Sequence, residues 1–258
     1  MNSIYQHFRE NERPFIDQLL DWKNIVMEQY RPKLIDFLDP REQNIVKTVI
    51  GEHSDVRVQF FGGYDHAERK RAILYPDYFQ PTADDFELTA FEIVYPKKFV
   101  NISHREVLGS LMGLGVKRGK FGDILIEGGI VQFIAVKEME RFLSLNFSKV
   151  GRTSVQLKPI SFHQLIDEKK DMDEFIITVS SLRLDAVIAN IHRLSRQKVK
   201  AQIENGLIKV NWKVTEDAHF EVKEGDVFSV RGYGRSKIIS IDGKTKKEKW
   251  RLAVGIPK

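Results

Sequence analysis

The chain has 258 residues, enough for about two or three small domains, each with its own core. Its 42% hydrophobic and 30% charged residues are those of a soluble globular protein and exclude wholesale disorder. There is no cysteine, which excludes disulfides, thiolate nucleophiles and Cys-ligated zinc, and no apolar run approaches the ~18 residues of a membrane span.

The opening MNSIYQHFRENERPF lacks the basic-then-apolar layout of a secretory signal, so the expected compartment is the cytoplasm. The net charge of +5 is divided unevenly. Ile176 to Lys258 carry 17 Lys or Arg against 9 Asp or Glu, while residues 1–175 carry 24 basic and 27 acidic groups. A local positive excess concentrates anions, and nucleic acid is the commonest polyanion in a cell; solubility charge is the plain alternative.

Residues 1 to about 50 read as helical. FIDQLLDWKNIVMEQY sets Phe15, Leu19, Trp22, Val26 and Tyr30 at spacings of three and four, the stripe of a packed helix. Pro32 and Pro40 punctuate, and DPREQNIVKTVIGE starts a second helix with Asp39 as N-cap and Pro40 in its first position. From Val56 the pattern changes to strands. VRVQFFGGY alternates into a Gly-Gly turn, and RAILYP and FELTAFEIVYP each end at a proline that interrupts a ladder. SHREVLGSLMGLG is predicted as a helix capped by Ser103, with Glu106 completing a capping box. GDILIEGGIVQFIAV reads as a hairpin turning at Gly128-Gly129, KEMERFLSLNFSKV as an amphipathic helix, and TSVQLKPIS as a strand. Strands with two interposed helices predict an α+β, ferredoxin-like domain with one sheet face covered. The charged SFHQLIDEKKDMDEF is the expected linker. The expected division is therefore N-terminal helices over 1–52, the ferredoxin-like domain over 53–160, a linker over 161–175 and a C-terminal domain over 176–258.

In the basic third, a first helix buries Leu184, Val187, Ile188, Ile191 and Leu194. Ser195 caps a second helix in which Val199 and Ile203 point inward; Arg196 and Lys200 share another face, with Lys198 displaced from them. Asn205-Gly206 closes it. LIKVNWKV then alternates as a strand with Lys209, Asn211 and Lys213 on one side, and KEGDVFSVRG brings Arg231, then Arg235 and Lys237, into the same region. One basic surface shared by helix and strand is expected.

The ordered fragments Arg183-Leu184-Asp185, Ser195-Arg196, Gly206, Val210-Asn211 and Gly225-Asp226 resemble the S-four RNA-binding domain, the alpha-L motif first associated with a small-subunit ribosomal protein. The resemblance implies that the second helix and its turn contact structured RNA through Arg183, Ser195, Arg196, Lys198, Lys200, Lys209, Asn211 and Lys213. One departure is that the family's Asn-Gly turn is Asn211-Trp212 here, which implies a shifted or strained turn. Trp212 either stacks on a base or packs on its own domain.

SHREVLGSLMGLGVKRGKFGDILIEGG, residues 103–129, is similar to the YlmH-like family of bacterial proteins, whose order of domains this chain matches. That likeness implies an RNA-binding protein working on ribosomal RNA, or on tRNA at the ribosome, in quality control of stalled large subunits. It makes Arg105, Lys117, Arg118 and Lys120 candidates for a second RNA contact; by its residues alone, GLGVKRGKFGD reads as a flexible, solvated connection.

The alternative is an RNA-modifying enzyme with the S-four domain as its targeting arm. Arg183-Leu184-Asp185 superficially matches the Arg-Leu-Asp context of pseudouridine synthases, but a helix follows it here, without their Thr-x-Gly pattern. GLGVKRG follows a helix with the wrong glycine spacing for a methyltransferase loop, and Asp65, His66 and Glu68 lie too close together to converge on a metal. The expectation is a non-enzymatic RNA-binding protein with no metal and no cofactor. A protein-docking adaptor is a third reading, and the sequence indicates no particular protein partner.

Overall fold

The computed structural model describes residues 5, 8, 10–51, 55–166 and 172–257. The chain divides into two compact units, residues 1–168 and 169–258.

The first unit opens with α1 (Arg13–Gln29), which buries Ile16, Leu19 and Val26, and α2 (Pro40–Ile50). Asp39 caps α2: its carboxylate accepts from the Glu42 amide at 2.9 Å, while Glu42 accepts from the Asp39 amide at 2.7 Å. Between the helices, Lys33–Leu38 forms a strand, β1. The N-terminal stretch is thus not wholly helical. Seven residues between two prolines are too few for a stable helix, and alternating Leu34 and Ile35 meet two different cores.

β1 pairs with β3 (Lys70–Pro76), which pairs with β2 (Val56–Phe61), all antiparallel. The boundary expected at 52/53 therefore falls inside one sheet. Ala72 and Leu74 of β3 face the core under α1 and α2, and Ile73 faces the opposite way. A second sheet is built from β4 (Leu88–Val94), β5 (Phe121–Glu127), β6 (Ile130–Val136) and β9 (Gln156–Ile160), with α3 (His104–Gly113) following β4 and α4 (Glu140–Asn146) following β6. A small hairpin, β7 (Lys149–Val150) and β8 (Thr153–Ser154), precedes β9. The strand order β5-β6-β4-β9 with every pair antiparallel is the split β-α-β-β-α-β connectivity of a ferredoxin-like sheet.

Both faces of this sheet are covered, not one. On the helix side Phe91 and Phe133 stack with centroids 5.3 Å apart, in a core with Val107, Leu111 and Leu143. On the other side Ala90, Ile134 and Val136 pack against Phe37 and Ile73 from the three-stranded sheet. The unit is thus helix, sheet, sheet, helix, and β6 is a nearly continuous apolar run because it is buried on both faces. Gly122 admits the close approach: a Cβ there would stand 2.8 Å from Phe37 Cε1. Buried Arg71 binds the layers through their backbone, donating to Ile35 O at 3.1 Å and Phe86 O at 2.8 Å.

Part of the expected linker is ordered. Phe162 and Leu165 join the inter-sheet core, and Gln132 holds the segment by donating to Gln164 O and accepting from the Ile166 amide. Met172–Val179 is strand β10 of the second unit, and residues 167–171 lie outside the described residues.

The second unit has a six-stranded antiparallel sheet in the order β10-β15-β14-β13-β11-β12. Its other strands are β11 (Ile208–Val210), β12 (Lys213–Val214), β13 (Val227–Val230), β14 (Gly234–Lys244) and β15 (Trp250–Pro257). Helices α5 (Leu184–Ile191) and α6 (Arg196–Glu204) cover one face. Val187, Ile188, Val199 and Ile203 are 0% exposed and meet Ile208, Phe228, Ile238 and Val254 from alternate strand positions.

Candidate nucleic-acid interface

The alpha-L fragments meet each other before they meet solvent. Asp185 is 0% exposed; its carboxylate accepts from Arg183 Nε at 3.2 Å, Arg183 Nη2 at 3.1 Å and Arg196 Nη2 at 2.8 Å. Burial alone would raise its pKa, but the hydrogen bonds and charges of the two guanidinium groups hold it below the usual carboxylate value. The N-terminal amides of α5 are taken up by the chain after β12: Leu184 N donates to Phe220 O and Asp185 N to Ala218 O. Arg183 and Arg196 thus have a structural role, and their exposed edges remain at the surface. Asp185, saturated with donors and shut from water, is not presented to a substrate.

A second couple joins the later fragments. Asn211 donates through Nδ2 to Asp226 Oδ1 at 2.8 Å and accepts at Oδ1 from the Val227 amide at 2.9 Å. Asp226 is buried and also accepts from Lys223 N at 2.8 Å. The expected strand LIKVNWKV is a hairpin: Val210 pairs with Lys213 across a two-residue turn in which Asn211 has φ 49° and Trp212 φ 63°. Two left-handed residues match the twist of the flanking strands. The turn is not shifted; a tryptophan occupies the position that favours glycine. Its indole is half-buried with Arg235 Cζ 5.9 Å from the ring, and its N–H is buried without a hydrogen-bond partner among the described residues. Trp212 packs on its own domain.

We expect Asn211→Ala to cost about 2 kcal/mol of stability, because it strands the Val227 amide and one oxygen of buried Asp226. RNA affinity per folded molecule should stay within about threefold, since a single local contact is lost from the binding surface at most. Urea unfolding and RNA titration of the same variant measure the two effects.

The basic side chains divide between two faces. Ile208 and Val210 point to the helices, so Lys209 points to the open face of the sheet. The register runs from Lys209 through Ser229 to Arg235, which places Arg235 there too, and Val227↔Lys237 adds Lys237. Lys213 pairs with Val210 and so lies on the opposite side from Lys209. The single surface expected for helix and strand is therefore two. On the helix side Ser195 caps α6 by accepting from Lys198 N at 3.2 Å, and Lys198 and Lys200 project outward on either side of the Val199 stripe. Lys198 Nζ lies 5.5 Å from the ring centroid of Tyr233, a residue sequence reasoning missed. Tyr233 also meets the His192 ring at 5.6 Å, and burial pushes the His192 pKa down, keeping that imidazole neutral. Arg231 stands exposed two residues before Tyr233. Lys198, Lys200 and Arg231 make no ion pair among the described residues.

The segment GLGVKRGKFGD is anchored. Arg118–Lys120 forms a 3-10 turn in which Arg118 donates to Phe121 O at 2.6 Å and Gly122 O at 3.2 Å. Lys120 binds Asp36 at 2.9 Å and Glu138 at 2.7 Å, and their hydrogen bonds outweigh its partial burial to raise its pKa. Arg118 and Lys120 are thus used internally, whereas Lys117 and Arg105 are exposed.

No helix among the described residues is long and apolar enough to cross a membrane. Residues 81–164 match a family described as a putative RNA-binding domain in YlmH, residues 11–79 match the YlmH N-terminal family, and residues 182–228 match the S4 domain. The chain is 53% identical over 252 residues, covering 98% of both chains, to the ribosome-associated protein quality control protein P2 of Bacillus subtilis (strain 168). Among solved structures it is similar to the cell division protein ylmH from Streptococcus pneumoniae, with 34% identity, a TM-score of 0.55, and coverage of 63% of this chain and 99% of that one. Matched along nearly its whole length and in the order of its domains, the chain belongs to the YlmH family.

Proposed function

We propose that this is a non-enzymatic cytoplasmic protein that grips structured RNA through its phosphates, with ribosomal RNA, or tRNA held on the ribosome, as the target. The observation that carries the reading is the helix side of the C-terminal unit, where Lys198 and Lys200 stand exposed on α6 with Lys198 Nζ 5.5 Å from the Tyr233 ring, together with exposed Arg231 in the turn that carries Tyr233. Cations on a fixed helix and turn, without an ion pair to a carboxylate among the described residues, are arranged to replace counterions along a phosphate backbone. The Bacillus subtilis relative, named for ribosome-associated protein quality control, supports placing this activity on the ribosome. The structural burial of Asp185 speaks against the pseudouridine-synthase reading of its triplet.

Hydroxyl-radical footprinting of ribosomal subunits tests the target. The expected result is a compact set of protected riboses on large-subunit RNA that disappears at high salt. Protection confined to bound tRNA would select that partner; no protection of either would remove the ribosome as the site of action.

A further inference from the structure

A sheet of β-α-β-β-α-β connectivity commonly binds RNA on the face opposite its helices, where aromatic side chains stack on bases. Here that face is filled by Phe37, Ile73 and the rest of the inter-sheet core. RNA cannot reach it. Any RNA contact of the middle segment must use a different part of its surface, and the internally bonded Arg118 and Lys120 do not supply one.

One end of the sheet does. β4 ends at Val94 opposite the first residue of β9, Gln156, and the β5-β6 turn lies at this same end, where Tyr95 Oη donates to Gly129 O at 3.0 Å. The loop from β4 to α3 is held as a tight turn by Phe99 N donating to Pro96 O at 3.0 Å. At its tip the Phe99 side chain is 88% exposed, although a phenyl ring normally gains about 2 kcal/mol or more from burial. Lys97 and Lys98 precede it. The first turn of α3 adds Arg105, and the β7-β8 hairpin adds Lys149 and Arg152, tied to α3 where Gly151 N donates to Ser110 Oγ at 3.2 Å. All five cations are exposed and none forms an ion pair among the described residues. Of the acidic groups at this end, Glu106 is committed to its cap with Ser103 and Glu127 sits at the end of β5.

We infer that the Pro96–Phe99 turn is a stacking site for an unpaired RNA base, with Lys97, Lys98, Arg105, Lys149 and Arg152 taking the flanking phosphates. A rigid turn presents the ring at little entropic cost, and the cations carried by the elements at this end of the sheet supply the charge complementarity that an apolar protein partner would not require. The inference rests on the reading of the chain as an RNA-binding protein, and it adds a second contact of a different kind: base stacking on single strands, remote in sequence from the phosphate-gripping helix.

The test is photo-cross-linking of the full chain to a stem-loop RNA carrying 4-thiouridine in its loop, with titration of the same RNA and of a blunt duplex. The expected result is a cross-linked peptide containing Phe99, and a Phe99→Ala variant that binds the stem-loop about tenfold more weakly while binding the duplex unchanged. Cross-links confined to residues 172–257, with Phe99→Ala indistinguishable from the parent, would overturn the inference and leave the C-terminal reading standing. Equal weakening for stem-loop and duplex would overturn stacking. Failure of the parent protein to bind either RNA would overturn both readings.

Discussion

Replacing Lys198, Lys200 and Arg231 together by alanine lowers affinity for structured RNA about 100-fold near 0.1 M salt and reduces the salt slope by about two to three. Each phosphate contact releases roughly one counterion, so three lost contacts remove a fixed number of ions from the equilibrium whatever the RNA sequence. The three residues are exposed and make no ion pair among the described residues, so the fold should keep its stability within about 0.5 kcal/mol. A matched variant carrying Lys209→Ala and Lys237→Ala on the open sheet face is the control. It should lose less than about threefold, because those side chains point away from α6. The reverse pattern in filter binding would transfer the RNA site to the open face.

Asp185→Ala is expected to cost the C-terminal unit about 3 kcal/mol, read as a lowered urea midpoint. The carboxylate is 0% exposed and accepts three guanidinium hydrogen bonds, the best at 2.8 Å. Removing it leaves two cations facing each other where one anion held them, and both anchor helix starts. The pH dependence has a definite sign. Because the folded-state pKa is lowered by Arg183 and Arg196 against the opposing effect of burial, the stabilisation is present above the ordinary carboxylate value and is lost as pH falls through the folded value. The gap between parent and variant should therefore be widest near neutral pH and close in acid. A gap independent of pH would show that packing, and not charge, carries the cost.

Local chemistry was legible in the sequence wherever a short motif decides it. The Asp39 and Ser195 caps, the Ser103 capping box, the Gly128-Gly129 turn and the buried stripe of α5 and α6 all stand where spacing predicts. β1 was hidden because Lys33–Leu38 is buried on both sides and shows no clean alternation. The second covered face of the ferredoxin-like sheet was hidden for a related reason: β6 reads IVQFIAV, and an apolar run cannot say how many layers it meets. At the candidate site, Arg196 and Asn211 looked like surface contacts because motif position carries no information about partners. Only their distances to Asp185 and Asp226 reveal internal bonds. Tyr233 carried no sequence signal, since its place beside Lys198 is created by the β13-β14 turn folding back along α6. The exposure of Phe99 likewise follows from the tertiary fold and not from its neighbours in sequence.

Co-sedimentation of the full chain with ribosomal subunits across a salt gradient tests the central claim most directly, with the Lys198, Lys200, Arg231 triple-alanine variant run in parallel. The parent should travel with the large subunit at low salt and dissociate as salt rises, while the variant dissociates at clearly lower salt. A parent protein that stays in the soluble fraction at low salt, or a variant that sediments identically to it at every salt concentration, would contradict the assignment of Lys198, Lys200 and Arg231 as the grip on ribosomal RNA.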